Sequence, residues 1–577
     1  MGRQKGNAER SKYKTASSAN FEQSQTGFFT GFGQEQLDQD LDPRLRVAFR
    51  KSAKKDATTR IKACDEILGL LQDKESDLAT TISAMLKAWP RYYSKSVSDP
   101  EPRVRGQSHN VTLRVLQLSG KQSAPYLKSI MPPLIYGTYD EYSISSTTCA
   151  KGLDLVFPEK IMQVVSHVSS ELVTYCTEMV LKKPEKGSID SELEVNRLIS
   201  QGLRCLARYN QTGKNPLDIS CLLDSKSFWK LSRHKETSIR AGFFELAVAK
   251  LQENEASHIS EWSKAVLSSL AENEPNCVRP LWAGILLLLK KSKTDPAVFE
   301  AVNFLKAFVP GLWTVLRAGG FGCGTIIYPH MLPLIATIPT NLTGGPFYEN
   351  FFSNFLEGMR EIEAKVDLKA AVSGLLECLQ YAQVNKIIPN SFEFVSDLIM
   401  ECINGASCAP IEAAKPLYNL MLQWKNSHQD YFNELMEAVK NCFESTISDF
   451  CRNVSEENAA RVKKCVELVK HMVNCDRPRS VVFDKNNEKS SESPSEKLKD
   501  EMIILVGILV SKSDRLEPEF AFLQLETIII LTKNSTRDFK MAIFDYLYRE
   551  ILQGTKVDDT LSRNHDLVSG KKSTLPI

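Results

Sequence analysis

At 577 residues, with 42% hydrophobic and 25% charged residues, the chain holds enough apolar material for several domains or one long repeat array. A formal charge of +2 excludes a chain that is basic throughout and leaves room for local patches. The polar first 26 residues argue against a signal peptide, and the longest apolar runs, around Leu281–Leu289 and Met502–Val510, are about half a bilayer span.

In chain order, residues 1–36 read as a disordered basic arm, rich in Gly, Ser, Gln and Lys and too polar to bury a core. Arg3, Lys5, Arg10, Lys12 and Lys14 oppose only Glu9 in the first twenty positions. Inside the arm lies an island, GFFTGFG, at Gly27–Gly33. Its rings Phe28, Phe29 and Phe32 either dock on the chain's own first helices or form a short linear motif that inserts into a partner. A basic cluster follows. Arg44, Arg46, Arg50, Lys51, Lys54, Lys55, Arg60 and Lys62 face only Asp42 and Asp56. Such a run is either a solvated helix face or a surface that neutralises nucleic-acid phosphates through counterion release.

Residues 37–475 read as helical repeats, with no sustained strand alternation, so the class is all-α. In Asp99–Leu118, Asp99 reads as an N-cap, followed by Pro100 and Pro102 in the donor-free first turn. Val104, Val111, Val115 and Leu118 then share one face, with Arg105 beside it. The same polar cap, aliphatic residue and cation recur as Asp56, Ile61 and Lys62, as Asn273, Val278 and Arg279, and as Asn534, Phe539 and Lys540. His234, Ile239 and Arg240 make a weaker copy, and Pro280 moves the third start toward Asn276. Ile61 lies 43 residues before Val104, and Ile239 39 before Val278, near the ~40–47 of helical-hairpin repeats. This is the pattern of a HEAT/ARM-like α-solenoid. Pro90, Pro132–Pro133, Pro158, Pro184, Pro329, Pro333 and Pro339 read as turn signals, and Lys182–Glu192 as a surface loop. Residues 476–500 read as a flexible insertion, 501–560 as further helical repeats and 561–577 as a frayed tail.

Chemistry is sparse. None of the fourteen cysteines forms a C-x-x-C pair, and they scatter along apolar faces as reduced core thiols do. Gly319-Gly320-Phe321-Gly322-Cys323-Gly324 lacks the Lys-Ser/Thr of a phosphate loop and has no strand before it, so it reads as a sharp turn between helices. No Ser-His-Asp or Cys-His constellation stands out, so no catalytic or metal-binding residue is assigned.

Several stretches resemble listerin, the RING-type E3 ubiquitin ligase family of ribosome-associated quality control. The resemblance rests on GFFTGFG, on Arg50–Asp56 with Thr59 and Lys62, and on Trp89-Pro90-Arg91-Tyr92-Tyr93 followed by Asp99 and Arg103-Val104-Arg105. Gly319–Cys323 with Tyr328-Pro329 and Leu332-Pro333 completes it, over roughly residues 10–360. It implies the amino-terminal end of such a ligase, docked in the cytosol on the large ribosomal subunit beside the quality-control partner that tails the stalled nascent chain. Ubiquitin transfer, the E2 and the RING zinc would then belong to a RING that this sequence lacks, leaving this stretch alone non-catalytic, without cofactor and without membrane contact. The other reading is a generic HEAT-repeat scaffold, of transport or assembly-factor type, without catalytic activity.

Overall fold

The computed structural model describes residues 42–511 apart from 73–77, 185–188, 213–216, 254–257, 301, 389–390, 405–409 and 476–497, together with a few residues between 528 and 545. The described residues are helices and turns, with no strand among them. They form two compact units, one of the described residues up to Tyr209 with those between Gly213 and Ile219, the other of Asn210–Thr212 with the described residues from Ser220 onward.

In the first unit the helices are α1 (Pro43–Ser52), α2 (Ala57–Leu70), α3 (Leu78–Ser96), α4 (Pro102–Ser119), α5 (Leu127–Gly137), α6 (Ser143–Val156), α7 (Ile161–His167), α8 (Ser169–Val180) and α9 (Ile189–Thr212). Neighbouring helices pair as hairpins, and successive hairpins stack helix on equivalent helix. Thus α2 packs on α4 and α4 on α6, while α3 packs on α5 and α5 on α8. That double layer is the helical-repeat solution to burying one apolar stripe per helix. The second unit repeats it with α10 (Thr237–Leu251), α11 (Ile259–Leu267), α12 (Pro275–Ser292), α13 (Val309–Arg317), α14 (Met331–Thr337), α15 (Gly345–Met359) and α16 (Lys365–Val384). It continues through α17 (Ser391–Asn404), α18 (Pro410–Ser427), α19 (Gln429–Arg452), α20 (Glu456–Cys475) and α21 (Lys499–Ser511). There α16, α18 and α20 stack in one layer, with α17 and α19 packed together in the other.

The predicted core residues Val104, Ile239 and Val278 are all buried. Several local expectations are corrected. Asp99 does not cap α4; the cap is Glu101, whose carboxylate accepts from Arg103 N–H. The caps of α10 and α12 are Glu236 and Glu274, rather than His234 and Asn273 or Asn276. Asp56 does cap α2, accepting from Thr59 N–H at 2.7 Å. Pro90 and Pro132–Pro133 lie inside α3 and α5, not in turns, and all three are buried. Burial against neighbouring helices offsets the one backbone hydrogen bond each proline removes. The loop expected at Lys182–Glu192 is shorter, because α9 begins at Ile189, and α21 begins two residues before the expected 501.

Gly319–Gly322 is the expected sharp turn. Gly319, Gly320, Phe321 and Gly322 all have positive φ, between 54° and 70°. At Gly358, across from that turn, a Cβ would lie 1.6 Å from Leu316 O, so only glycine lets α15 close on α13.

Candidate partner-binding surface

The motif residues Phe28, Phe29 and Phe32 lie outside the described residues, as do Asn534 and Phe539. The basic cluster is described, on α1, the turn after it and the start of α2.

On α1, Leu45, Ala48 and Phe49 are buried, and Phe49 packs against Tyr92 with ring centroids 4.5 Å apart. That face leaves the cations outward. The structure divides them into two sets. Arg44 pairs with Asp42 at 3.3 Å, and Asp42 caps the helix by accepting from Arg44 N–H. The Arg44 hydrogen bonds hold the Asp42 carboxyl below its ordinary range. Lys51 reaches Glu66 on α2 at 2.7 Å. Arg46 is half-buried. By contrast Arg50, Lys54, Lys55 and Lys62 are exposed, and no ion pair among the described residues involves them.

Arg60 fixes the turn that carries Lys54 and Lys55. Its Nη1 donates to Lys54 O at 3.0 Å and Lys55 O at 2.6 Å, while Nη2 donates to Asp99 Oδ1 at 2.8 Å. Asp99 in turn accepts from Glu101 N–H at 2.9 Å. The same device recurs one repeat on. Arg105 Nη1 donates to Asp99 O and Pro100 O, while Nε and Nη2 grip Asp140 at 2.6 and 2.8 Å. Asp140 accepts from Tyr142 N–H. In the second unit Arg240 Nη1 donates to His234 O and Lys235 O, and its other nitrogens grip Glu272 at 2.6 and 3.0 Å. Glu272 accepts from Glu274 N–H. One guanidinium therefore closes its own hairpin turn and ties it to the next repeat, a bidentate geometry that lysine lacks.

Arg105 was expected beside the buried face; it is 1% exposed and among the largest buried side chains. It pairs with the acid of the next repeat. Burial pushes the Asp140 carboxyl up, but the Arg105 hydrogen bonds and charge outweigh it, leaving a net lowering. Alongside, His109 bonds the Tyr93 hydroxyl at 2.8 Å, and Trp89 Nε1 donates to Thr112 Oγ1. Burial pushes the His109 imidazole down to about 4, so it is neutral at physiological pH.

Thirteen of the fourteen cysteines are described, all as free thiols. Burial pushes Cys64 and Cys465 up to about 12 and Cys277 to about 11, which removes the thiolate that nucleophilic or metal chemistry needs. Among the described residues there is no cluster of His, Cys, Asp and Glu able to hold a metal ion, and no helix long and apolar enough to cross a membrane.

Comparison with known proteins finds relatives that cover part of the chain. The family described as "E3 ubiquitin-protein ligase listerin, N-terminal domain" matches residues 37–338. Listerin of Gallus gallus is 28% identical over 384 residues, 62% of this chain and 21% of that protein. Listerin of Xenopus tropicalis is 28% identical over 377 residues, covering 60% and 22%. The chain thus spans about a fifth of the length of these relatives. Among solved structures, the karyopherin Kap121p bound to the SUMO protease Ulp1p is similar at 12% identity and a TM-score of 0.33, over 91% of this chain and 61% of that one.

Proposed function

The chain belongs to the listerin family through its amino-terminal domain, and from that premise we propose that it is the ribosome-docking end of a listerin-type E3 ubiquitin ligase. In this reading it works in the cytosol, in the complex that ubiquitinates nascent chains stalled on large ribosomal subunits and so commits them to proteasomal degradation. The solenoid contributes position; E2 recruitment and its zinc-bound RING belong to the family's carboxy-terminal region.

The observation that carries the docking role is the division within the basic cluster. Arg50, Lys54, Lys55 and Lys62 are exposed and join no ion pair among the described residues, and Arg60 holds the backbone of two of them in a fixed turn. Cations held this way can neutralise rRNA phosphates without first breaking an internal pair. Phe28, Phe29 and Phe32 supply the second contact, inserting into the partner that tails the nascent chain; their glycine neighbours let the rings reach a pocket at little steric cost. Co-sedimentation with large subunits carrying stalled peptidyl-tRNA separates the two. Replacing the three phenylalanines with alanine weakens binding and leaves its salt dependence intact, whereas reversing Arg50, Lys54 and Lys55 flattens that dependence. If neither set matters and binding follows distal helical surfaces, the chain is a scaffold without this docking role.

A further inference from the structure

Buried charge in the first unit does not balance around Asp140. Two guanidinium groups approach this one carboxylate: Arg105, which grips it, and Arg197 on α9, whose charge also acts on it. Asp140 has no capacity left for the second. Oδ1 accepts from Arg105 Nη2 and Tyr142 N–H, and Oδ2 from Arg105 Nε and the Ser145 hydroxyl at 3.2 Å. Arg197 is 9% exposed, and among the described residues its single hydrogen bond is a long one of 3.4 Å from Nη1 to Gln201 Oε1, while its buried Nη2 has no partner. Gln201 is itself committed, donating from Nε2 to Tyr136 O at 2.8 Å. A buried cation in this state is costly unless an anion completes it.

The surroundings indicate where the anion comes from. Residues 197, 201, 204 and 208 fall on one face of α9, since offsets of four, seven and eleven return to nearly the same direction on a helix. Along that face burial falls away, from Arg197 through half-buried Arg204, whose Nε also lacks a hydrogen bond, to exposed Arg208. Tyr139 and Tyr209 flank the exposed end, their rings edge-to-face at 6.4 Å. Arg197 is recessed, so a duplex phosphate backbone, wide and rigid, is a poor fit. A single carboxylate on a flexible side chain is the better match for a recessed guanidinium.

We propose that the arginine face of α9, anchored by Arg197, whose Nη2 lacks a partner among the described residues, binds an acidic peptide segment of a partner protein, one glutamate or aspartate carboxylate completing Arg197. The site stands on the geometry of the first unit alone and is independent of ribosome docking. The test uses the full chain and a fluorescein-labelled Glu-rich peptide read by anisotropy, with a Gln-rich peptide of equal length and poly-U RNA as comparisons. Arg197→Met should weaken Glu-peptide binding by about tenfold or more, while its melting temperature stays at or above that of the parent, because an uncompensated buried charge has been removed. Arg105→Met should lower the melting temperature. The proposal is overturned if Arg197→Met melts early as Arg105→Met does, since Arg197 would then have a partner within the fold. It is equally overturned if the Glu-rich peptide fails to bind, if the Gln-rich peptide binds as well, if Arg197→Met leaves binding unchanged, or if only the RNA binds in an Arg197-dependent way.

Discussion

Two cation-rich regions of the first unit, the α1–α2 turn and the start of α4, use the same residue types to opposite ends. At the turn, Arg50, Lys54 and Lys55 stand in solvent, with no ion pair to them among the described residues. At α4, Arg105 and Asp140 form an ion pair whose side chains are 2% and 1% exposed. Arg60 lies between the extremes, 13% exposed and joined to Asp99. Burial, and not residue identity, decides whether a cation is available to a partner or committed to the fold. The buried pair contributes little net stability by existing and a great deal if broken.

The largest effect is therefore expected at Asp140. Asp140→Ala leaves Arg105 buried without its carboxylate, and denaturant unfolding should show a loss of about 3–5 kcal/mol. Gly358→Ala drives a methyl into Leu316 O, and should cost about 1–3 kcal/mol or more in the same measurement. Arg240→Ala breaks the more accessible pair with Glu272, where water compensates in part, so about 1–2 kcal/mol is expected. Should Arg240→Ala cost as much as Asp140→Ala, burial is not what separates the pairs.

Acid sharpens the comparison. His109 is held neutral, its pKa depressed from 6.5 to about 4 by burial. Between those values the unfolded chain takes up a proton that the folded chain refuses. Stability is thus fully present above pH 6.5 and falls as the pH drops toward 4. The Asp140 contribution is lost lower, below its ordinary carboxylate pKa of 3.8, because its folded value is depressed. Melting curves of His109→Gln against the parent should differ in slope between pH 6.5 and 4 and run parallel above.

The helical class and the buried faces at Val104, Ile239 and Val278 were legible because apolar period survives in each hairpin. The ladder was legible only in part. Arg105 and Arg240 stand four residues after the caps Glu101 and Glu236, and Arg60 four after Asp56. Counting from Asp99 and His234, two residues before the true caps, gives the right cation in those repeats and the wrong one, Lys62, in the first. In α12 the corresponding place belongs to Val278, so Arg279 is an exposed residue with no rung to fill. An acid or cap followed four positions later by arginine was the signal available. Burial of Arg105 was not legible, because its neutralising carboxylate lies 35 residues away in sequence. The prolines misled for a related reason, since sequence reports the missing donor and not the packing that offsets it. Arg197 carried no signal beyond its place in an arginine stripe.

The smallest stability effect belongs to the exposed cations, and it is the most informative. Arg50, Lys54 and Lys55 reversed to Glu together should leave the melting temperature within the small range typical of surface changes, about 0.5 kcal/mol per site. The measurement that bears most directly on docking is the salt dependence of binding to large ribosomal subunits, compared between this triple variant and one reversing Arg44 and Lys51, which are already paired with Asp42 and Glu66. A shallower salt slope for the triple variant, with a nearly parental slope for the paired set, is the predicted result. Equal slopes for both variants and the parent would contradict the account, because the unpaired cations would then contribute nothing that the paired ones do not.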